Sequence, residues 1–256
     1  MRPAATRLDW RMARLPRAIL FDLDETLISF GRRPLLFREV AEEFAEVLAP
    51  VPPAEVGEAL EAHMRWFWSD EDRHRQWRFR LEAARIECVS QVFARLADRA
   101  PGATPKAARD FAVRFHAYRE AQARFFPGAI EAVDELKARG VKLALVTNGD
   151  AAAQRDKIAR FDLVRRFDHV QIEGEAGFGK PEERAYRHAL QALGVAAHEA
   201  WMVGDNLEWE VAAPQRLGIY AIWHDHLGAG LPPDSPVRPD RIITSIAELL
   251  DDLDPE

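Results

Sequence analysis

A single cysteine, Cys88, stands among 256 residues, which excludes an intrachain disulfide framework and any zinc site built from cysteine thiolates. Long apolar runs are missing too. No stretch approaches the ~18 residues that a membrane span needs, so no membrane partner is expected. Basic charge is in short supply: 35 Lys and Arg face 42 Asp and Glu, for a net charge of −7. Sequence-independent binding to nucleic acid draws its affinity from cations that neutralise phosphates, so no nucleic-acid partner is expected either. These absences suit a cytoplasmic protein, and nothing in them bears on oligomeric state. Hydrophobic residues make up 48% of the chain, enough to bury a core in one sizeable domain or two small ones. The first seventeen residues carry Arg2, Arg7, Arg11, Arg14 and Arg17 against the single acid Asp9. No apolar stretch of the roughly 7–15 residues found in a secretory signal follows them, and residues 1–17 read as a short basic extension.

The hydrophobic pattern changes twice. Ala18-Ile19-Leu20-Phe21 is a short apolar run that stops at an acidic cluster, as a buried parallel strand stops at its carboxyl edge. From residue 31 to residue 126 the pattern is helical, and nothing there reads as a strand. One helix carries Leu35, Leu36, Val40, Phe44, Val47 and Leu48, with Pro50, Pro52 and Pro53 marking its end. A second follows through Val56, Leu60, Met64 and Phe67. A third places Trp77, Leu81, Ala84, Cys88, Val92 and Leu96 on one face, and a fourth runs from about Pro105 to Phe125.

After Pro127-Gly128 helices and strands alternate. Strands are expected at Val141–Val146, Val170–Ile172, Ala200–Val203, Ile219–Trp223 and Arg241–Ile243. Helices are expected at Ile130–Arg139 and Ala151–Phe161, after Pro181, up to Leu217-Gly218, and from Ile246. Alternation of this kind implies the α/β class, a doubly wound, Rossmann-like parallel sheet covered on both faces. Residues 18–30 and 127–256 form the expected core, and residues 31–126 an α-helical insertion. Ligands of such sheets bind beyond the carboxyl ends of strands, where this insertion leaves and returns.

Four polar groups fall at those ends. Asp22, Asp24 and Thr26 follow the first strand; Thr147-Asn148-Gly149 ends the second; Lys180-Pro181 opens a helix after the loop from Gly174 to Gly179; Gly204-Asp205 ends a fourth strand, with Glu208 and Glu210 beyond. Each alone could be a turn or a helix cap. Their order and placement together point to one site.

With these residues in view, the chain resembles the haloacid dehalogenase-like hydrolases, in their phosphatase branch. That pattern, Asp-x-Asp-x-Thr, a strand-ending Thr, a Lys and a Gly-Asp followed by another acid, is met by Asp22/Asp24/Thr26, Thr147, Lys180 and Gly204-Asp205 with Glu210. The resemblance extends from Ala18 over nearly all the rest of the chain, and residues 31–126 match the helical cap many members carry. It implies Asp22 as a nucleophile that forms an aspartyl-phosphate and Asp24 as general acid and base. It also implies Mg²⁺ held by Asp22, Asp205 and the Asp24 backbone carbonyl. Like charges ~4 Å apart repel by about 4 kcal/mol at an effective dielectric of 20, and a divalent cation relieves that repulsion. The Thr147 hydroxyl and the Asn148 and Gly149 amides are expected to face the phosphate, and Lys180 to serve both phosphate and Asp22. The substrate implied is a small phosphorylated metabolite. A phosphomutase would share the same residues. A dehalogenase needs no acid at Asp24, and a catalytically silent phosphate binder is a further alternative.

Three features are left open by the sequence. Glu210 stands where the family often has Asp, so it is either a metal ligand or a support. Glu25 replaces a common Gly. Pro214 implies a late-starting or kinked helix. In the insertion, His63 to Trp68 and His74 to Arg80 interleave aromatic residues with Arg; Phe67, Trp77 and Phe79 suit a helical core, and the arginines either face water or meet an anion. The insertion carries 16 basic and 15 acidic residues, and the core (18–30 with 127–256) 14 and 26, so the anionic excess lies in the core. His224 and His226 lack zinc spacing and read as structural, and Cys88 reads as a buried small hydrophobe.

Overall fold

The computed structural model describes residues 15–78 and 80–251. The expectation for most of the basic extension, and that for Phe79, therefore lie outside the described residues, as does the side chain of Arg75.

The chain opens with β1 (Ala18–Phe21), whose four residues are fully buried, as a strand covered on both faces must be. A two-residue strand β2 (Ile28–Ser29) precedes five helices: α1 (Arg33–Glu43), α2 (Pro53–Trp68), α3 (Glu71–Trp77), α4 (Leu81–Leu96) and α5 (Pro105–Ala121). After β3 (Arg124–Phe125) come α6 (Ala129–Ala138), β4 (Lys142–Thr147), α7 (Ala151–Arg160), β5 (His169–Ile172), α8 (Glu173–Ala176), α9 (Glu183–Leu193) and β6 (Ala200–Gly204). A π-helical stretch, Leu207–Ala212, leads into α10 (Ala213–Gln215), then β7 (Tyr220–His224), β8 (Arg241–Ile243) and a 3₁₀ turn at Ile246–Leu250.

Six strands form one parallel sheet in the order β5-β4-β1-β6-β7-β8. From β1 the chain proceeds outward through β4 and β5, then returns to β6 and proceeds outward the other way. The reversal lies between β1 and β6, the place where open α/β sheets bind ligands. Asp22 and Asp205 are the first residues past those two strands.

Helices α1 to α5 gather around an apolar cluster of their own, including Phe37, Val56, Leu60, Cys88, Phe93 and Phe111. Stacked Phe37 and Phe115 lie with ring centroids 4.1 Å apart. Thr104 starts α5 by accepting a hydrogen bond from the Ala107 N–H, with Pro105 in the first turn.

Several local expectations need correction. The stretch 31–126 does contain a strand: β3 pairs antiparallel with β2, Ile28 opposite Phe125, so α5 ends at Ala121 instead of running to Phe125. The first helix stops at Glu43, short of Leu48. The expected third helix is two, α3 ending at Trp77, which packs on Phe67 at 5.8 Å, and α4 starting at the exposed Leu81. Lys180 lies in a loop two residues before the N-cap Glu182 of α9, not in the helix, and residues 173–176 are a short helix, not loop. The chain from Ile246 closes as a 3₁₀ turn. Pro214 is accommodated by a late start, in the first turn of α10 after the π-helical segment.

Candidate active site

Asp22 sits where the β1–β6 ladder ends, its N–H donating to the Val203 carbonyl at 3.0 Å. Its carboxylate is held from two sides: Lys180 Nζ lies 2.5 Å from Oδ1, and the Thr26 hydroxyl donates to Oδ2 at 3.1 Å. Lys180 is 1% exposed and also meets Glu210 Oε1 at 2.7 Å. Burial disfavours its charge; the Asp22 and Glu210 carboxylates outweigh burial and raise the ammonium above its ordinary range. Glu210 turns its other oxygen to the Asn206 N–H at 2.8 Å. Both its oxygens therefore have donors from the protein. Burial pushes its carboxyl up to about 7, Lys180 opposing and Asp22 adding to the shift. Gly204 makes this approach possible, since a Cβ there would fall 2.0 Å from Glu210 Cγ.

Asp205 follows β6, with its carbonyl fixed by the Trp223 indole N–H at 2.7 Å. Burial, then the charges of Glu210, Asp22 and Glu25, push its carboxyl well above the usual range, and Lys180 opposes them only in part. One ammonium, bonded to Asp22 and Glu210, thus faces three converging carboxylates, theirs and that of Asp205. Among the described residues no group of three His, Cys, Asp or Glu side chains is arranged to hold a metal. A cation here would take Asp22, Asp205 and a backbone carbonyl. Such a donor set, all oxygen and few carboxylates, suits Mg²⁺, which keeps waters and accepts phosphate oxygens.

Asp24 turns its side chain away from this cluster. Lys157 Nζ contacts both carboxylate oxygens at 2.7 and 2.6 Å, and the Gln154 amide donates to Oδ2 at 3.2 Å. Burial disfavours the ionised form, yet Lys157 and Arg119 hold the carboxyl below its ordinary value. Gln154 also donates to Thr147 Oγ1 at 2.6 Å, tying the end of β4 to Asp24. The Thr147 hydroxyl proton has only a 3.4 Å contact, to the Asn148 carbonyl. The Asn148 side chain bridges to the Lys180 backbone, accepting from its N–H at 2.9 Å and donating to its carbonyl at 2.7 Å. The Gly149 N–H, expected to face a phosphate, donates instead to Glu173 Oε2 at 3.1 Å.

Glu173, 1% exposed, was not anticipated from sequence. Burial raises its carboxyl, opposed by Arg78 of the helical segment at 3.2 Å and by the Gly149 N–H. Arg78 also holds Glu182 at 2.8 Å, and the His74 ring lies 4.7 Å from that of Trp209. Residues 74–78 therefore bind the core beside the site. Asp22, Lys180, Asp205 and Glu210 come together, as do Asp24 and Thr147. Lys157, Gln154, Glu173 and Arg78 are the additions.

The haloacid dehalogenase-like hydrolase pattern matches residues 16–218. The chain belongs to the haloacid dehalogenase-like hydrolases. A phosphoserine phosphatase of Thermus thermophilus is 39% identical over 160 residues, 62% of each chain. A glyceraldehyde 3-phosphate phosphatase of Methanopyrus kandleri is 27% identical over 211 residues, 80% of this chain and 82% of that one. For the Thermus protein, and for a Pyrococcus abyssi glyceraldehyde 3-phosphate phosphatase matched over 47% of its length, the match spans less than two thirds of the relative. Among solved structures, the HAD hydrolase YfnB of Bacillus subtilis, bound to magnesium, shares the fold with a TM-score of 0.72 at 18% identity, covering 94% of this chain and 99% of that one. No helix among the described residues is long and apolar enough to cross a membrane.

Proposed function

We propose that this hydrolase is a Mg²⁺-dependent phosphatase of the cytoplasm, acting on a small phosphate monoester through an aspartyl-phosphate on Asp22. The observation that carries the reading is Asp22 itself: a carboxylate at the sheet's switch point, held on one oxygen by Lys180 and on the other by Thr26. Asp22, Asp205 and the Asp24 carbonyl are the proposed Mg²⁺ ligands. The ion would neutralise charge between these acids and the substrate's phosphate.

An Asp22 oxygen attacks phosphorus, the bond to the leaving oxygen breaks, and Asp24 gives that oxygen its proton. Water then attacks the phosphorus and surrenders a proton to Asp24. The bond to Asp22 breaks and inorganic phosphate leaves. Lys180 and the Thr147 hydroxyl steady the phosphate oxygens, assisted by the Asn148 amide. Asp24, ion-paired with Lys157 in this structure, has to leave that partner to carry a proton. Residues 31–126 act as a cap on the core of 18–30 and 127–256, with Arg78 and His74 among its contacts to the core. A closed cap excludes water from the first step.

The test is release of inorganic phosphate from p-nitrophenyl phosphate with Mg²⁺, with chelator, and with Asp22→Asn. Turnover that needs Mg²⁺ and falls on the order of 10³-fold or more in Asp22→Asn is expected. Chelator-resistant turnover, or an active Asp22→Asn enzyme, would refute the mechanism.

A further inference from the structure

Arg78, the residue that closes α3, grips the loop carrying Lys180 at both ends. Its Nη1 lies 3.2 Å from Oε1 of Glu173, which precedes Lys180, and its Nη2 donates to Oε1 of Glu182, which follows it, at 2.8 Å. Glu173 is the interior end of this grip. Its side chain is 1% exposed, and its Oε2 accepts from the Gly149 N–H at 3.1 Å. That N–H belongs to the same peptide unit as the Asn148 carbonyl, which accepts from Gln154 Nε2 at 2.8 Å. A peptide unit is planar, so the Asn148–Gly149 plane is held at both edges, by Gln154 on one and Glu173 on the other. The Thr147 hydroxyl and the Asn148 N–H, assigned above to the phosphate, come directly before that plane.

The same carboxylate abuts the other phosphate-facing segment. A Cβ at Gly179 would fall 2.5 Å from Glu173 Oε1 and 2.6 Å from Asn148 Oδ1, so glycine beside Lys180 is what makes room for both side chains. The Gly174 N–H donates to the Gly149 carbonyl at 3.0 Å, and a Cβ at Gly174 would fall 2.6 Å from the Ala151 nitrogen. Three segments, 147–151, 173–174 and 179–180, thus pack closely with the Glu173 carboxylate between them. Glu173 Oε1 accepts no hydrogen bond among the described residues, and Arg78 is its ion-pair partner. Burial raises the Glu173 carboxyl, and Arg78 is the strongest of the influences that oppose burial. A charged acceptor holds an N–H roughly twice as strongly as a neutral one, so the hold on Gly149 depends on the charge that Arg78 supports.

Resting on the phosphatase reading, we propose that Glu173 is a positioning residue that couples docking of the helical cap to the phosphate site: docked Arg78 fixes Glu173, and Glu173 fixes the Asn148–Gly149 peptide and the Lys180 loop. Lifting the cap to admit substrate breaks the pair and loosens both segments. Closure restores them, so the phosphate is gripped fully only under a docked cap.

The experiment has two readouts on the full chain. The first is inhibition of p-nitrophenyl phosphate hydrolysis by inorganic phosphate, in wild type, Arg78→Met, Arg78→Lys, Glu173→Gln and the double variant of Arg78→Met with Glu173→Gln. The inhibition constant and KM are expected to rise about tenfold or more in Arg78→Met and in Glu173→Gln, since small misplacements of binding groups have effects of that order or larger. Arg78→Lys should recover part of the loss, a single ammonium being unable to reach both acids as the guanidinium does. The double variant should be no worse than the more affected single one, because both changes cut the same link. The second readout, hydrogen exchange at residues 147–151, needs no turnover: Arg78→Met should speed it about tenfold or more while β1 is unchanged. If Glu173→Gln does not fold, Arg78→Met, a change at the edge of the cap, decides by both readouts. An unchanged inhibition constant, unchanged exchange at 147–151, or additive losses in the double variant overturns this inference and leaves the phosphatase reading standing. Absence of wild-type turnover overturns the phosphatase reading, and exchange at 147–151 then still decides whether Arg78 and Glu173 hold that loop.

Discussion

Replacing Lys180 with methionine removes the cation that, among the described residues, pairs with both Asp22 and Glu210, while nearly keeping the length of the side chain. Lys180 and Glu210 are each 1% exposed and Asp22 is buried, so neither carboxylate can recruit bulk water in its place. Breaking a buried ion pair by deleting one partner costs about 3–5 kcal/mol. For a chain of this length that corresponds to a fall in Tm of roughly 6–20 °C. The loss depends on pH, and the sign follows from linkage. Glu210 already has its carboxyl raised to about 7 with Lys180 present, and without the ammonium it moves higher. A carboxyl whose folded-state value exceeds its unfolded one contributes stability below the unfolded value and loses it as pH rises through the folded value. Lys180→Met should therefore be most penalised at pH 8 and recover part of its deficit at pH 5.5, where Glu210 is protonated. Thermal unfolding followed by circular dichroism at both pH values, against wild type, measures this. A variant with wild-type Tm at pH 8, or with a deficit that grows on acidification, would show that Lys180 is not what compensates these acids.

Other substitutions probe neighbouring contacts. Gly204→Ala places a Cβ 2.0 Å from Glu210 Cγ, so the Glu210 side chain must shift away from Lys180; a loss of about 1–3 kcal/mol in thermal unfolding and a fall in turnover are expected. His224 is 1% exposed, and burial lowers its ring to about 4; between pH 6.5 and 4 the unfolded chain binds a proton that the folded one refuses, and stability falls by at most about 3 kcal/mol. His224→Phe, beside Phe126 at 5.0 Å, should flatten that part of the stability profile, and an unchanged acid slope counts against a buried neutral His224. Lys157→Met takes from Asp24 its ion-pair partner, leaving only the charge of Arg119 among the cations that act on it, and raises the carboxyl; the alkaline limb of the kcat/KM profile should move to higher pH, with Lys157→Arg restoring it. A profile identical to wild type excludes Lys157 as the group that holds Asp24 ionised.

The rim of the sheet was readable because a parallel strand announces its end. An apolar run that stops at Asp22, Thr147 or Asp205 places that residue at the carboxyl edge, and the parallel order then brings distant segments together. The residues missed lie where local pattern is silent. Gln154 and Lys157 are one turn apart on α7, and polar residues at that spacing ordinarily make a solvated face. They are buried because α7 starts directly after β4 and carries its inner stripe, with Ile158, over Asp24. The available signal was that Gln154 and Lys157 share a helical face with Ile158. Glu173 and Arg78 become partners only through the docking of α3, across 95 residues of chain. The split between α3 and α4 was hidden for the same reason, since Trp77 and Leu81 have continuous helical spacing and only the packing of Trp77 on Phe67 interrupts it.

Charge compensation in the described site has a common form. Asp22 and Glu210 share Lys180, Asp24 has Lys157, and Glu173 has Arg78, each cation coming from a segment remote in sequence. An anionic substrate can enter only by exchanging some of these partners, because an added phosphate competes for Lys180 and a proton-carrying Asp24 has no use for Lys157. The Lys180 pair is the most buried and cannot be given up without the cost worked out above. The Lys157 and Arg78 pairs are more exposed on the acid or the base, with Asp24 31% and Arg78 16% accessible at the side chain. Solvent reduces what these two contribute, and they are the ones that can be exchanged as the site fills. Substrate binding should accordingly change hydrogen exchange protection least around β1 and most in α3 and α7. Uniform protection across all three elements would mean that the site is rigid and the pairs persist through turnover.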